Sequence, residues 1–582
     1  MKKVILLALI FLVIPIALAK TAHMPLLAVK EKAGIIEGSI ADLYLDISPG
    51  TGRVFIETFP LTKFDTQIST RFAKDVACDY LGINCNKYDF FYTIRADSPI
   101  VGGPSAGAAI AVMTATSLLN LDISEEIVIT GTINAGGLIG PVGGLKEKID
   151  AAATIDINAI LIPKGELTQE IDNITVDLVE YAGNRNIELA EVSNLNDAIY
   201  YFTGKQIKIP KDNLVIDEDY TKTMQKLAKI LCDRSQELKQ EIDEYEKVKK
   251  EFSENESIQA LEKAQNLTQK GSQAYEEEKY YSSASYCFGA NVQYRYLLYK
   301  LKNKADFSKI QQDIDEFQES LKDREIKTLT DLEAYMIVKE RLKDAQTNLD
   351  NARKLLNITN KTNELINHLA YAKERVFSAY SWAEFFGKPG KEFELNREAL
   401  KESCLSKLSE AEERFQYAKI FFVDNLERTE QELEYAYQDF EEGQYELCIF
   451  RASKTKADAN TLLSLTGVQE DQLPTLIESK LDIVKQTIIE VQEKGIFPIT
   501  GYAYYEYAGS LKEHDQLASL LYLEYALELS NLDMYFKPTY EAFIPEKKEI
   551  ELGFILIFLF GAVFGFAISY LIKPKPKKTR KR

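Results

Sequence analysis

The sequence predicts an α+β domain, then a long all-α region of coiled-coil or hairpin helices, then one membrane-spanning helix. Three observations predict it. Residues 1–205 hold 17 of the chain's 29 glycines, among alternating strand-like and helix-like runs. From about Asp217 to Met534 apolar residues recur at helical spacing. Leu552–Ile572 contains no charge, and its 21 residues would span about 31 Å as helix.

The chain has 582 residues, enough for roughly three to four domains. With 46% hydrophobic and 27% charged residues it can build large cores. A net charge of −19 makes nucleic acid an unsuitable partner, because phosphate backbones repel an acidic surface. Three scattered histidines, His23, His368 and His514, match no metal-binding spacing, and no cofactor is implied.

At the start, Lys2 and Lys3, the apolar run Val4–Ile16 and the small residues Ala17 and Ala19 read as a signal peptide over residues 1–19. The α+β domain occupies 20–205. Its expected strands are Ile35–Ile47, Arg53–Phe59, Asp89–Arg95, Glu126–Asn134, Ala159–Ile162 and Ile187–Val192. Its expected helices are Phe64–Leu81, Ser105–Leu119, Leu145–Thr154 and Leu195–Phe202. The helical domain occupies 206–545. Tyr335, Val338, Leu342, Ala345, Leu349, Ala352 and Leu356 form an a/d seam over three heptads. An internal echo links Tyr275-Glu-Glu-Glu-Lys-Tyr280 with Phe440-Glu-Glu-Gly-Gln-Tyr445, each followed by a small-residue helix, without a sustained repeat period. The anchor spans 552–572, and the basic tail 573–582 marks the cytoplasmic side. The expectation is a single-pass cell-membrane protein with its bulk extracellular. Gly561, Gly565 and Ser569 add an expectation of self-association through the anchor. Six cysteines without a CxxC pair are compatible with disulfides, and a Cys78–Cys85 bridge is expected at the end of the Phe64–Leu81 helix.

The chemistry sits between residues 101 and 148. Gly103-Pro104-Ser105-Ala106-Gly107 follows a strand and opens an alanine-rich helix. Proline suits the first helical turn, where its missing N–H costs nothing. A serine there stands at the positive end of a helix, near N–H groups that can hold an oxyanion; alone, it would ordinarily cap the helix. A serine nucleophile needs a base, and His23 at the extreme start is the domain's one histidine. A desolvated lysine can serve instead. Lys146 and Lys148 lie two residues apart in a short helix, so one can turn inward while the other faces water.

Through GPSAG at 103–107, TGTINAGGLIGPVGGLKEKIDAA at 130–152 and LIPKGE at 161–166, the chain resembles the proteolytic domain of the Lon protease family over roughly Val29–Gly204. The resemblance implies Ser105 as nucleophile and Lys148 as general base. Thr130 would orient the amine, and Gly103, Pro104 and Ala106 would support the serine. It implies polypeptide substrates. The family's carboxylate at the serine motif is absent here, and Phe91 and Thr93 stand where histidines are usual. No GxxxxGK[ST] phosphate loop occurs in the chain, so the implied activity is an ATP-independent serine endopeptidase acting on unfolded or loose polypeptides. The reading from a different class is a non-enzymatic extracellular receptor or assembly scaffold with a degenerate protease domain.

Overall fold

Strands β1 (Ala22–Lys32) and β2 (Ile35–Pro49) pair antiparallel and open a four-stranded sheet of order β1-β2-β4-β3. β4 (Tyr88–Ala96) runs antiparallel to β2 and parallel to β3 (Val54–Phe59), with helix α1 (Phe64–Leu81) in the crossover. This computed structural model describes residues 21–537 and 539, apart from 33–34, 60–63, 97–103, 172–173, 209–212, 250–254, 303–306, 323, 357–361, 423–425 and 466–467.

Helix α2 (Gly107–Leu118) is buried along ten consecutive residues, Gly107–Thr116. Its alanines let neighbouring elements approach on all sides. Beyond it, β5 (Ile127–Ile129), the hairpin β6 (Thr132–Asn134) and β7 (Leu138–Gly140), helix α3 (Leu145–Ala152) and β8 (Ala159–Pro163) follow. A hairpin of β9 (Thr168–Ile171) and β10 (Ile174–Asp177) leads to α4 (Leu178–Gly183), β11 (Glu188–Val192) and α5 (Leu195–Thr203). β5, β8 and β11 form a parallel sheet of order β11-β8-β5.

The expected strand Glu126–Asn134 is broken. Thr130 N–H still donates to Leu161 O of β8 at 3.1 Å, and Gly131 is the first to turn away, its N–H donating to Ser105 O at 3.1 Å. Five elements of this domain went unforeseen: β1, β7, both strands of the β9–β10 hairpin, and α4. β1 buries consecutive residues, Leu26 in the main core and Leu27 in a second core under the parallel sheet, so its pattern is not a clean alternation.

The remaining helices are α6 (Glu218–Lys249), α7 (Asn255–Glu276), α8 (Tyr280–Lys302), α9 (Phe307–Ser320), α10 (Leu329–Leu355), α11 (Thr362–Trp382), α12 (Arg397–Phe421), α13 (Glu427–Glu441), α14 (Tyr445–Ser464), α15 (Leu473–Glu493), α16 (Ile499–Leu511) and α17 (Gln516–Ser530). The a/d seam packs α10 on α11, with Val338, Leu342, Ala345, Leu349 and Ala352 buried and Leu356 exposed past the helix end. The echo marks two helical hairpins, α7–α8 and α13–α14. Each turns through a left-handed residue, Glu278 at φ 59° and Gly443 at φ 70°. Each is clasped by rings, Tyr275 with Tyr280 at 5.3 Å and Phe440 with Tyr445 at 5.7 Å.

The expected Cys78–Cys85 bridge is present. Cys232 pairs with Cys287 and Cys404 with Cys448, closing loops of 55 and 44 residues. Each of these ties the first helix of a three-helix set, α6 or α12, to the third, α8 or α14. In the loop-entropy model each contributes about 4 kcal/mol. Replacing Cys404 and Cys448 together by serine is therefore expected to lower unfolding free energy by about that amount, read as a lower urea midpoint.

One core cluster runs from Met24 to Phe536, so the α/β part and the helices share apolar packing. The described chain to Lys537 packs as one unit.

The expected membrane-spanning helix does not stand. Among the described residues no helix is long and apolar enough to cross a membrane. The uncharged helix α2 is only 12 residues long, and the described helices of 18 residues or more all carry charged residues. The segments expected as signal peptide (1–19), anchor (552–572, with Gly561, Gly565 and Ser569) and basic tail (573–582) lie outside the described residues. The fold class is corrected to an α/β domain followed by a long all-helical region, and the expected single-pass cell-membrane location falls with the anchor that carried it.

Candidate active site

The site is assembled around α2 and α3. A 3-10 turn, Pro104–Ala106, precedes α2, and Ala106, not Ser105, occupies the helix-capping position. Ser105 is half-buried. Its carbonyl accepts from Gly131 N–H at 3.1 Å, and Gly131's own carbonyl accepts from Ala108 N–H at 3.0 Å. The head of α2 is thus stitched to the chain that has just left β5. Gly103 lies outside the described residues.

Helix α3 begins after Gly144, whose φ of +70° suits glycine. Leu145, Ile149 and Ala152 sink into the second core with Leu27, Val128 and Ile160. That anchoring turns Lys148 inward, where it is 2% exposed. Its Nζ donates to Thr130 Oγ1 at 3.0 Å, and Thr130 is itself buried. Thr130 and Gly131 are neighbours in the chain: one holds the lysine amine, the other the serine carbonyl. Burial disfavours the ammonium and lowers the Lys148 pKa to about 8.

Lys146 points the other way. It pairs with Asp150 at 3.3 Å and stands 5.0 Å from the Tyr181 ring centre, and Tyr181 and then Asp150 raise its pKa. The two lysines therefore differ in environment as helical spacing requires. On β4, Phe91 is exposed and stacks on Phe55 at 4.7 Å, while Thr93 Oγ1 donates to Glu57 at 3.4 Å.

Sequence reasoning missed Gly38. It lies in β2, where a Cβ would sit 2.0 Å from Glu147 O and 2.8 Å from Ala151 Cβ. This close approach lets α3 lie directly on the sheet. The signal was available: a lone glycine inside an apolar strand pattern marks close backbone contact. Gly38→Ala is expected to push α3 away. Activity attributed to Lys148 should fall at least about tenfold, and stability by about 1–3 kcal/mol, as for overpacking. Kinetics and a thermal melt of the variant check both.

Residues 95–200 match the family described as the Lon protease (S16) C-terminal proteolytic domain. Ser105, Thr130 and Lys148 all fall within that match. The chain is 32% identical over 114 residues to the Lon protease of Helicobacter pylori (strain J99), covering 20% of this chain and 13% of that protein. It is 30% identical over 169 residues to the Lon protease of Syntrophomonas wolfei, covering 28% and 20%. It is 27% identical over 174 residues to the archaeal Lon protease of Archaeoglobus fulgidus, covering 30% and 27%. The chain thus spans between an eighth and about a quarter of the length of these relatives. The matches support a serine peptidase, and residues 95–200 carry a proteolytic domain of the Lon protease type.

Proposed function

We propose that this protein is a serine endopeptidase in which Ser105 is the nucleophile and Lys148 the general base. The observation that carries the reading is a buried lysine, its pKa lowered to about 8, held by Thr130 beside the strand exit that also binds Ser105. Neutral Lys148 takes the Ser105 hydroxyl proton as Oγ attacks the peptide carbonyl. Backbone N–H groups at the head of α2 hold the oxyanion. The lysine then returns its proton to the leaving amine. Water, deprotonated by the same amine, cleaves the acyl-enzyme and regenerates the serine. Thr130 fixes the amine's direction by accepting a hydrogen bond from it.

The substrates are unfolded or loose polypeptides, and cleavage proceeds without nucleotide, consistent with the lack of a GxxxxGK[ST] loop in this sequence. The purified chain is expected to hydrolyse an unfolded polypeptide without ATP and to be labelled by a serine-acylating probe. Neither hydrolysis nor labelling would overturn the reading.

A further inference from the structure

A cavity of about 490 Å³ lies among helices α6, α8, α10, α11, α13, α14, α16 and α17. Five cationic side chains line it: Arg341, Arg375, Arg428, Arg451 and Lys454. Only three lining residues are acidic, Glu340, Asp344 and Glu432. The lining itself therefore holds two more cations than carboxylates, while Asp439 beside Arg451 and Asp458 near Lys454 and Arg428 stand just outside it.

The cations are not equally satisfied. Arg375 uses two of the carboxylates, its guanidinium donating to Glu340 at 3.1 Å and to Asp344 at 2.8 Å. Arg341 donates through Nε to Ser378 Oγ at 2.9 Å, but its NH1 stays 3.7 Å from Glu340. Arg451 reaches Asp439 only at 3.5 Å, and Lys454 reaches Glu340 only at 3.8 Å. Among the described residues, none accepts a hydrogen bond from Lys454 Nζ or from the terminal guanidinium nitrogens of Arg341 and Arg451. Arg341 and Arg451 are nevertheless 8% and 6% exposed. None of these nitrogens is a fully buried atom left without a partner, so they face the cavity, where an oxyanion replaces water with stronger, charge-assisted bonds.

The arginines are also held in place. The Arg341 guanidinium lies 5.1 Å from the Trp382 ring centre, and Arg375 lies 5.5 Å from that of Phe288. A guanidinium held over an aromatic ring has fewer directions open to its fork, which favours carboxylate or phosphate groups.

We propose that this cavity binds a small organic anion bearing carboxylate or phosphate groups, held by Arg341, Arg451 and Lys454. The proposal does not depend on peptidase activity. The full chain would be titrated calorimetrically with citrate and, separately, inorganic phosphate, with sodium chloride at matched ionic strength as control. Saturable binding of either probe is expected, with a matching rise in melting temperature. Tighter citrate binding assigns a carboxylate ligand; tighter phosphate binding assigns a phosphorylated one. Arg451→Gln and Lys454→Gln are each expected to raise Kd about tenfold or more, since each removes a charge-assisted bond. The Lys454 side chain is a quarter exposed, so its variant decides the matter even where Arg451→Gln fails to fold. No saturable binding of either probe, or an unchanged Kd in Lys454→Gln, would overturn the proposal.

Discussion

Ser105→Ala is expected to reduce hydrolysis of an unfolded polypeptide by at least about a thousandfold, equivalent to roughly 4 kcal/mol of transition-state stabilisation. The loss should appear in kcat, with KM little changed, because the hydroxyl acts on the reacting carbon and not on the rest of the substrate. The same substitution should abolish labelling by an acylating probe. The fold should survive: Ser105 is half-buried, its structural bond to Gly131 runs through the backbone, and it does not cap α2. A folded Ser105→Ala protein that still cleaves at the wild-type rate would assign the nucleophile elsewhere.

Lys148→Met should inactivate nearly as completely, since serine is a weak nucleophile without its base. In the wild type, activity should rise with pH and reach half its plateau near pH 8, where Lys148 becomes neutral. At pH 6 the neutral fraction, and with it the rate, should be about a hundredfold below the plateau. Stability follows the same ionisation. The folded-state pKa lies below that of the unfolded lysine, so folding expels a proton between about pH 8 and the unfolded value near 10.4. Stability therefore rises with pH across that window, and the cost of burying the ammonium is fully present below it. Lys148→Met should stabilise the protein at pH 7 by about 1–3 kcal/mol, less whatever the lost Thr130 bond contributed. Urea unfolding would test this, and a variant less stable than wild type would contradict it. Lys146→Ala, which removes contacts with Asp150 and Tyr181 on the outer side of α3, should leave activity near wild type.

That contrast shows how much of the site the sequence carried. Spacing of two within a helix said that Lys146 and Lys148 face different ways, and the motif resemblance pointed to Lys148. It could not say what turns α3 inward. The answer lies in Gly38, more than a hundred residues earlier, and in Leu27 and Val128 beneath the helix. These are contacts between strands distant in sequence, which periodicity does not encode. The broken strand at Thr130 has the same origin. Its residues read as one β run, yet after Thr130, still bonded to Leu161 of β8, the Gly131 N–H turns from the sheet to the Ser105 carbonyl.

By itself the sequence determined what depends on local pattern: a first part that mixes strands with helices, helices thereafter, the 18-residue helix Phe64–Leu81, the seam of α10 and a short bridge between Cys78 and Cys85. Tertiary structure alone decided what depends on partners. It chose Cys287 for Cys232 and Cys448 for Cys404 among the long-range pairings, because disulfides need Cα atoms about 5–6 Å apart. It joined the helices to the α/β part through one core, setting Ile483 and Leu527 against Gly136 and Lys480 within 3.4 Å of Ala135 O. It also gathered five cations from four helices around one cavity. Each helix spends its charges locally on a solvated face in any reading of sequence; only packing shows which of those faces turn toward one another.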